Sequence, residues 1–153
     1  MKRLMLLLVA VTLMLGRVGL ANETYVLNYK DIVKATDWSK MKTVTVEIDS
    51  HSYTPDTLVF EAGQPYRLVF KNLSEKEKHY FTAPEFYRAI ATRKVQANGM
   101  GEIKAPYFTA LEMTKNGGEL ELYFVPVTKG TFEAYCTITD HRENGMDAEI
   151  TIR

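Results

Sequence analysis

Cysteine is nearly absent from this sequence, since Cys136 is the only one among 153 residues. An intrachain disulfide is therefore excluded, and so is a small fold held together by several disulfides. Histidine is also scarce, with only His51, His79 and His141. Any site that uses imidazole groups has to draw on these three residues.

An excess of charge of either sign is also missing. The 19 lysines and arginines balance the 19 aspartates and glutamates. This balance provides no basic stripe for nucleic acid and no polybasic patch for anionic lipid. We therefore expect no nucleic-acid partner.

The apolar run at the start of the chain is too short for a membrane span. Lys2 and Arg3 precede twelve mostly aliphatic residues at 4–15, and small residues follow up to Ala21. Crossing a bilayer takes about 20 apolar residues. The pattern predicts a secretory signal peptide at 1–21 and an exported, periplasmic protein, with an uncleaved membrane anchor as the alternative.

Cleavage after Ala21 would change both the net charge of the protein and the redox environment expected for its single thiol. It removes three basic residues and no acidic one, which leaves 16 basic and 19 acidic residues and a net charge of about −3. An oxidising compartment favours paired cysteines, and Cys136 has no partner in the chain. An exported Cys136 would have to be buried, paired with another chain or bound to a ligand.

Alternating apolar and polar residues predict short β-strands through most of the chain. Residues 22–42 are expected to form an N-terminal arm with at most a short helix, and 43–153 to form one domain. The fold class predicted is all-β, a Greek-key β-sandwich with a less regular central insertion at 73–118. The first strands are expected to pair antiparallel. The predicted strands lie at 43–49, 57–61, 66–71, 119–127, 129–136 and 147–153.

The stretch "CTITDHRENGM" places a thiol, an imidazole and a thioether at equal intervals, as Cys136, His141 and Met146. Cys136 ends one predicted strand and the next begins after Met146, so a single tight loop can bring the three side chains together. Two histidines, a cysteine and a weak methionine form the ligand set of a blue-copper site. The second histidine is either His51 or His79. Zinc is the competing metal, but structural zinc sites usually have four strong ligands, and a thioether is a poor one.

Three stretches together resemble the cupredoxins, the blue-copper family. They are "YTPDTLVFEAGQPYRLVFKN", "KHYFTAPEF" and "GTFEAYCTITDHRENGMDAEITI", and the resemblance runs from about Thr43 to Arg153. It implies one type 1 copper ion as cofactor and no catalytic residues. The ligands that it implies are His79, Cys136, His141 and Met146.

The sequence departs from the family pattern at two places beside the expected ligands. Tyr80 follows His79, where the family often has an Asn or Ser that ties the two ligand loops together. The resemblance implies that electrons leave through the ring edge of His141. Around this residue the chain has Asp140, Arg142 and Glu143 instead of the apolar residues of many relatives. We therefore expect a different mode of partner docking.

The function predicted is that of a monomeric, non-enzymatic electron carrier that meets a redox partner protein. The alternatives are a periplasmic copper carrier or resistance protein with a copper-delivery partner, or an accessory electron donor to a copper enzyme. A copper enzyme would need a second, histidine-rich site, which three histidines do not supply. Simpler interpretations stay open for single residues: an inert buried thiol for Cys136, a core side chain for Met146, and surface histidines for His51 and His79.

Overall fold

In the computed structural model of the chain, residues 24–153 are described, and the predicted signal peptide at 1–21 lies outside them. Among the described residues no helix is long and apolar enough to cross a membrane. The helices are α1 (Tyr29–Ala35), α2 (Pro84–Arg88) and a 3-10 helix at Trp38–Lys40. The strands are β1 (Lys42–Asp49), β2 (Ser52–Thr54), β3 (Thr57–Phe60), β4 (Tyr66–Asn72), β5 (His79–Thr82), β6 (Ile90–Ala97), β7 (Gly101–Ile103), β8 (Ala110–Met113), β9 (Glu119–Pro126), β10 (Gly130–Tyr135) and β11 (Asp147–Ile152).

These strands form two sheets that enclose one apolar core. The six-stranded sheet has the order β2-β1-β4-β9-β6-β7, and the five-stranded sheet has the order β3-β11-β10-β5-β8. Alternate residues of β11 are buried, and in β3 Leu58 and Phe60 are buried while Val59 between them is exposed, because one face of each strand points into the core. The predicted β-sandwich is confirmed.

Two strand pairs are parallel, which differs from the antiparallel pairing expected for the first strands. Strand β1 runs parallel to β4, with Val46 opposite Phe70, and β3 runs parallel to β11, with Leu58 opposite Ile150. After the β1–β2 hairpin the chain crosses to the other sheet as β3 and returns as β4. Alternation shows which face of a strand is buried but carries no information on the direction of its neighbour.

The central segment at 73–118 is more regular than the sequence predicts. It supplies β5 and β8, which pair with each other, and β6, which pairs with β9. In β6 the consecutive residues Ile90, Ala91 and Thr92 are all buried. A strand buried on both faces loses the polar–apolar alternation by which strands are found in a sequence.

Aromatic side chains hold the two sheets together. Phe60 of the five-stranded sheet contacts Tyr66 and Phe124 of the six-stranded sheet, with ring centroids 4.8 and 5.2 Å apart. Phe86 of α2 joins this cluster, 5.8 Å from Phe60. Burying one such side chain contributes about 1.5–3 kcal/mol.

The N-terminal arm folds against the six-stranded sheet. Helix α1 contacts β6, and the Trp38 indole N–H donates to the carbonyl of Val33 at 3.0 Å. The guanidinium carbon of Arg93, in β6, lies 4.6 Å from the centre of the Trp38 ring. A cation over an indole face adds about 0.5–1 kcal/mol at an exposed site.

Candidate metal centre

The loop between β10 and β11 carries three of the four predicted ligands. The Cys136 amide donates to the Met146 carbonyl at 3.1 Å, and the Met146 amide donates to the His141 carbonyl at 3.0 Å. The His141 amide donates to the carbonyl of Ile138 at 3.1 Å. These bonds fold the loop back on itself, so its first, middle and last residues become neighbours in space.

The tight path of this loop requires two residues with left-handed backbone angles. Asp140 has a φ of 66° and Gly145 a φ of 92°. Glycine adopts this region without steric cost, and aspartate tolerates it better than most other residues do. The Asn144 side-chain amide donates to the Asp140 carbonyl at 2.7 Å. Asp140, predicted as a docking residue, therefore also shapes the ligand loop through its backbone.

Asn72, at the end of β4, holds the loop that leads to His79. Its side chain is fully buried, and Nδ2 donates to the carbonyls of Glu77 at 2.9 Å and of Met113 at 3.2 Å. Oδ1 accepts a bond from the Ser74 amide at 3.0 Å. Met113 lies opposite His79 in the β5–β8 pair. Asn72 therefore organises the loop before His79, a role that the sequence pattern did not indicate.

The four predicted ligands lie close together in the interior. The ligand atoms of His79, Cys136 and His141 all lie within 4.8 Å of one another. His79 and Met146 are fully buried, and only 1% of Cys136 and 4% of His141 is exposed. We call His79, Cys136 and His141 the inner cluster, with Met146 joined to it by the hydrogen bond to the Cys136 amide.

Inside this cluster the imidazole nitrogens lack protein partners. Among residues 24–153, His79 Nδ1, His79 Nε2 and His141 Nδ1 are buried and accept or donate no hydrogen bond. Leaving a buried polar atom without a partner costs about 1–3 kcal/mol. A metal ion would engage a lone pair on each ring and remove most of this cost. The donor set therefore fits a bound metal ion.

The electrostatics of His79 favour the form that binds metal. Burial lowers the pKa of His79, and the neighbouring His141 lowers it further. The neutral imidazole has the free lone pair that a metal needs, whereas the protonated ring does not. Two imidazoles, a thiol and a thioether suit copper better than zinc, because thioethers are poor zinc ligands.

The outer edge of the His141 ring is covered by two other residues. The ring of His51 lies edge-on to it, with centroids 4.7 Å apart, and Glu77 Oε2 lies 3.5 Å from His141 Nε2. His51 and Glu77 are themselves exposed, which agrees with the surface position that the sequence left open for His51. Sequence reasoning missed their contact with His141, because they come from two other loops and carry no motif.

Arg142, one of the three charged residues beside His141, is held against β10. Its Nη2 lies 3.0 Å from Glu133 Oε2, and its guanidinium carbon lies 4.3 Å from the centre of the Tyr135 ring. An exposed ion pair of this kind contributes at most about 1 kcal/mol. Of the charged residues near His141, Glu77 rather than Arg142 is the one that contacts the ring.

Tyr53 connects β2 to the strand that begins with His79. Its hydroxyl donates to the Tyr80 carbonyl, and its ring packs edge-on against Phe81 with centroids 5.2 Å apart. Burial raises the pKa of Tyr53, so the phenol stays protonated and remains a donor. The Tyr80 side chain does not provide the tie that the family often has after the first histidine, but the Tyr80 backbone is tied through Tyr53.

Comparisons with known proteins extend this picture. A family model described as a cupredoxin-like domain matches residues 6–152. No curated protein matches the chain.

Solved structures that resemble this one include two auracyanins and a multicopper oxidase. Reduced auracyanin from the photosynthetic bacterium Roseiflexus castenholzii is 20% identical with a TM-score of 0.52, over 72% of this chain and 96% of that chain. Auracyanin A from Chloroflexus aurantiacus, described as a "blue" copper protein, is 15% identical with a TM-score of 0.50, over 74% of this chain and 99% of that chain. The oxidase from Pseudomonas thermotolerans is 20% identical with a TM-score of 0.55, over 77% of this chain and 31% of that chain. At these identities the similarity shows the fold.

Replacing Asn72 with alanine should destabilise the metal-free protein by about 2–4 kcal/mol, because several buried backbone groups lose their partner at once. Urea unfolding monitored by circular dichroism measures the effect. Asn28→Ala is the matched control, because Asn28 is exposed and its side chain makes no capping bond. Equal stability of the two variants would show that Asn72 does not organise the loop.

Proposed function

The chain belongs to the cupredoxin-like family, and we propose that it is an exported blue-copper protein that carries one electron by cycling between Cu(II) and Cu(I). The observation that supports this most directly is the inner cluster, where His79 and His141 each bring a ligand nitrogen within 4.8 Å of the buried Cys136 thiol. Within residues 24–153 both rings have buried nitrogens without a hydrogen-bond partner. Such a donor set has the soft and borderline character that copper prefers.

Each ligand residue has a distinct role in this proposal. His79, Cys136 and His141 would hold the copper through two imidazoles and a thiolate, and Met146 would be the weak thioether ligand that tunes the reduction potential. When bound, copper supplies the one-electron redox change.

The protein contributes a ligand set whose positions change little during electron transfer. The loop hydrogen bonds restrain Cys136, His141 and Met146, while Asn72 and Tyr53 restrain the approach to His79. Burial of all four ligands keeps water away from the metal. A precise metal site requires ligands that are held in place before the metal binds, by the residues that pack against them and hydrogen-bond to them.

The similarity to auracyanin A, a "blue" copper protein, supports this proposal, whereas the fold alone is also shared with multicopper oxidases. We propose a non-enzymatic carrier because the inner cluster uses two of the three histidines, and the remaining one, His51, is too little for a second histidine-rich copper site. A redox partner protein would receive or supply the electron, and the carrier would act as a monomer.

Copper-loaded protein should show an intense visible band from thiolate-to-copper charge transfer, and Cys136→Ser should abolish it, because a hydroxyl cannot supply the sulfur orbital. Absorption and electron paramagnetic resonance spectra measure this. Thr137→Ser, at an exposed neighbouring position, is the control that should keep the band. A colourless Cu(II) complex of the unaltered protein would contradict the proposal.

Replacing Met146 with leucine should raise the reduction potential by tens of millivolts, because loss of the thioether donor destabilises Cu(II) more than Cu(I). Spectroelectrochemical titration measures the potential. Met113→Leu is the matched control, since Met113 is equally buried but lies in β8, outside the loop that carries Cys136, His141 and Met146. If both variants kept the potential of the unaltered protein, Met146 would be a core methionine and not a ligand.

Export is supported by the basic start, the short apolar run and the small residues that end at Ala21. Expression of the full chain in a Gram-negative bacterium should yield a periplasmic protein whose first residue is Asn22. Fractionation and intact-mass spectrometry test this. A full-length chain in the membrane fraction would instead support the uncleaved anchor.

Electron transfer and copper delivery differ in what happens to the metal. A carrier of electrons should retain copper through many cycles of reduction and oxidation, because its ligands are buried and restrained. Repeated cycling with chemical reductant and oxidant, followed by metal analysis, measures retention. Rapid transfer of copper to an acceptor protein without redox turnover would favour the copper carrier instead.

A further inference from the structure

The side chain of His141 belongs to two groups of candidate ligands. One is the inner cluster. The other consists of His51, Glu77 and His141, whose ligand atoms also all lie within 4.8 Å of one another. We call these three residues the outer cluster. In the described part of the chain His141 Nδ1 is buried without a hydrogen-bond partner, as expected for an atom facing the inner cluster, whereas Nε2 lies 3.5 Å from Glu77 Oε2.

Three separate segments build the outer cluster. His51 lies in the two-residue turn between β1 and β2, where Asp49 pairs with Ser52. Glu77 lies in the loop before β5, and His141 lies in the ligand loop. His51 and Glu77 are exposed, whereas His141 is buried beneath them. The cluster is therefore open to ions from solvent on one side and touches the inner cluster on the other.

The geometry of the outer cluster is close to that of a metal site. The His51 and His141 rings are nearly perpendicular, at 84°, and Glu77 Oε2 lies 3.5 Å from His141 Nε2. Around a tetrahedral ion with ligand distances of about 2.0–2.2 Å, donor atoms lie about 3.3–3.6 Å apart. Closing the cluster would take movements of about 1.5 Å or less by this measure. The exposed side chains of His51 and Glu77 can make them by changing rotamer.

The charges around Glu77 leave its carboxylate available. Within residues 24–153 no lysine or arginine forms an ion pair with Glu77, and its Oε2 lies 3.5 Å from His141 Nε2. The adjacent Lys78 is engaged elsewhere, because its Nζ lies 3.3 Å from Glu112 Oε1 and 5.3 Å from the centre of the Tyr80 ring. Asp49, which precedes the β1–β2 turn, adds a further negative charge near the histidines.

We propose that the outer cluster is a second metal site, which binds a divalent cation of the Zn²⁺ or Cu²⁺ type through His51, Glu77 and the outer nitrogen of His141. Two imidazoles and one carboxylate suit borderline divalent cations, in contrast to the softer inner set with its thiol and thioether. This site goes beyond the proposed electron transfer and does not depend on which metal the inner cluster holds.

The shared His141 makes the two sites compete. A neutral imidazole has one nitrogen with a free lone pair and one nitrogen that carries a proton. When Nδ1 binds a metal in the inner cluster, Nε2 carries the proton and serves as a donor to Glu77. The outer cluster therefore binds its cation best when the inner cluster is free, which places it on the path by which metal reaches the interior.

The test uses the full chain with the inner cluster disabled by His79→Ala and Cys136→Ser, and Zn²⁺ as the probe in calorimetric titration. We expect one bound Zn²⁺. Adding His51→Gln or Glu77→Gln should weaken binding at least about tenfold, since even partners that only support metal ligands cost about 10–100-fold in affinity when removed. Glu75→Gln, an exposed glutamate in the same loop, is the matched control and should not weaken it.

The unaltered inner site provides an independent comparison. Protein loaded with copper should bind Zn²⁺ at least about tenfold more weakly than the double variant, because His141 is then engaged inward. Circular dichroism checks that every variant is folded, and both His51 and Glu77 lie at exposed positions where substitution leaves the core intact. Zn²⁺ binding that is absent, or equal with and without His51 and Glu77, would overturn the outer site. That result would leave the proposed function standing, because the visible band of the copper-loaded protein tests the proposed function separately.

Discussion

The arrangement of this site depends on burying imidazole nitrogens without giving them a protein partner. His79 and His141 both have nitrogen atoms in the interior that no backbone or side-chain group of residues 24–153 satisfies. Each unsatisfied atom opposes folding, so the surrounding structure has to hold the two rings together against that cost. The loops around them are accordingly rich in hydrogen bonds, and the sandwich beneath them is tightly packed with aromatic rings.

Support for the site comes mostly from backbone groups. Within the ligand loop, amides and carbonyls bond to each other, while Asn72 and Tyr53 reach carbonyls in the segments next to His79. Because the support comes mostly from backbone groups, a Tyr at position 80 is compatible with the site. The tie is made to the Tyr80 carbonyl, which every residue type provides. His141 is then the link between the buried cluster and the exposed residues His51 and Glu77.

Part of the fold was predictable, for reasons that differ between segments. Strands β1, β3 and β11 each bury one face, and their alternation is visible in the sequence. Strand β6 begins with three consecutive buried residues and shows no such alternation, so the segment at 73–118 seemed less regular than it is. The parallel pairing of β1 with β4 depends on the chain crossing between sheets, which no local pattern encodes.

The same distinction between local and distant information applies to the candidate site. Equal spacing along one short loop identified Cys136, His141 and Met146 as candidate ligands, because a loop between neighbouring strand ends must return to where it began. The sequence alone left His51 and His79 as rivals, and only the family resemblance favoured His79. Tertiary structure placed His79 in the buried cluster and His51 above His141, because the positions of separate loops depend on strand order and register across two sheets.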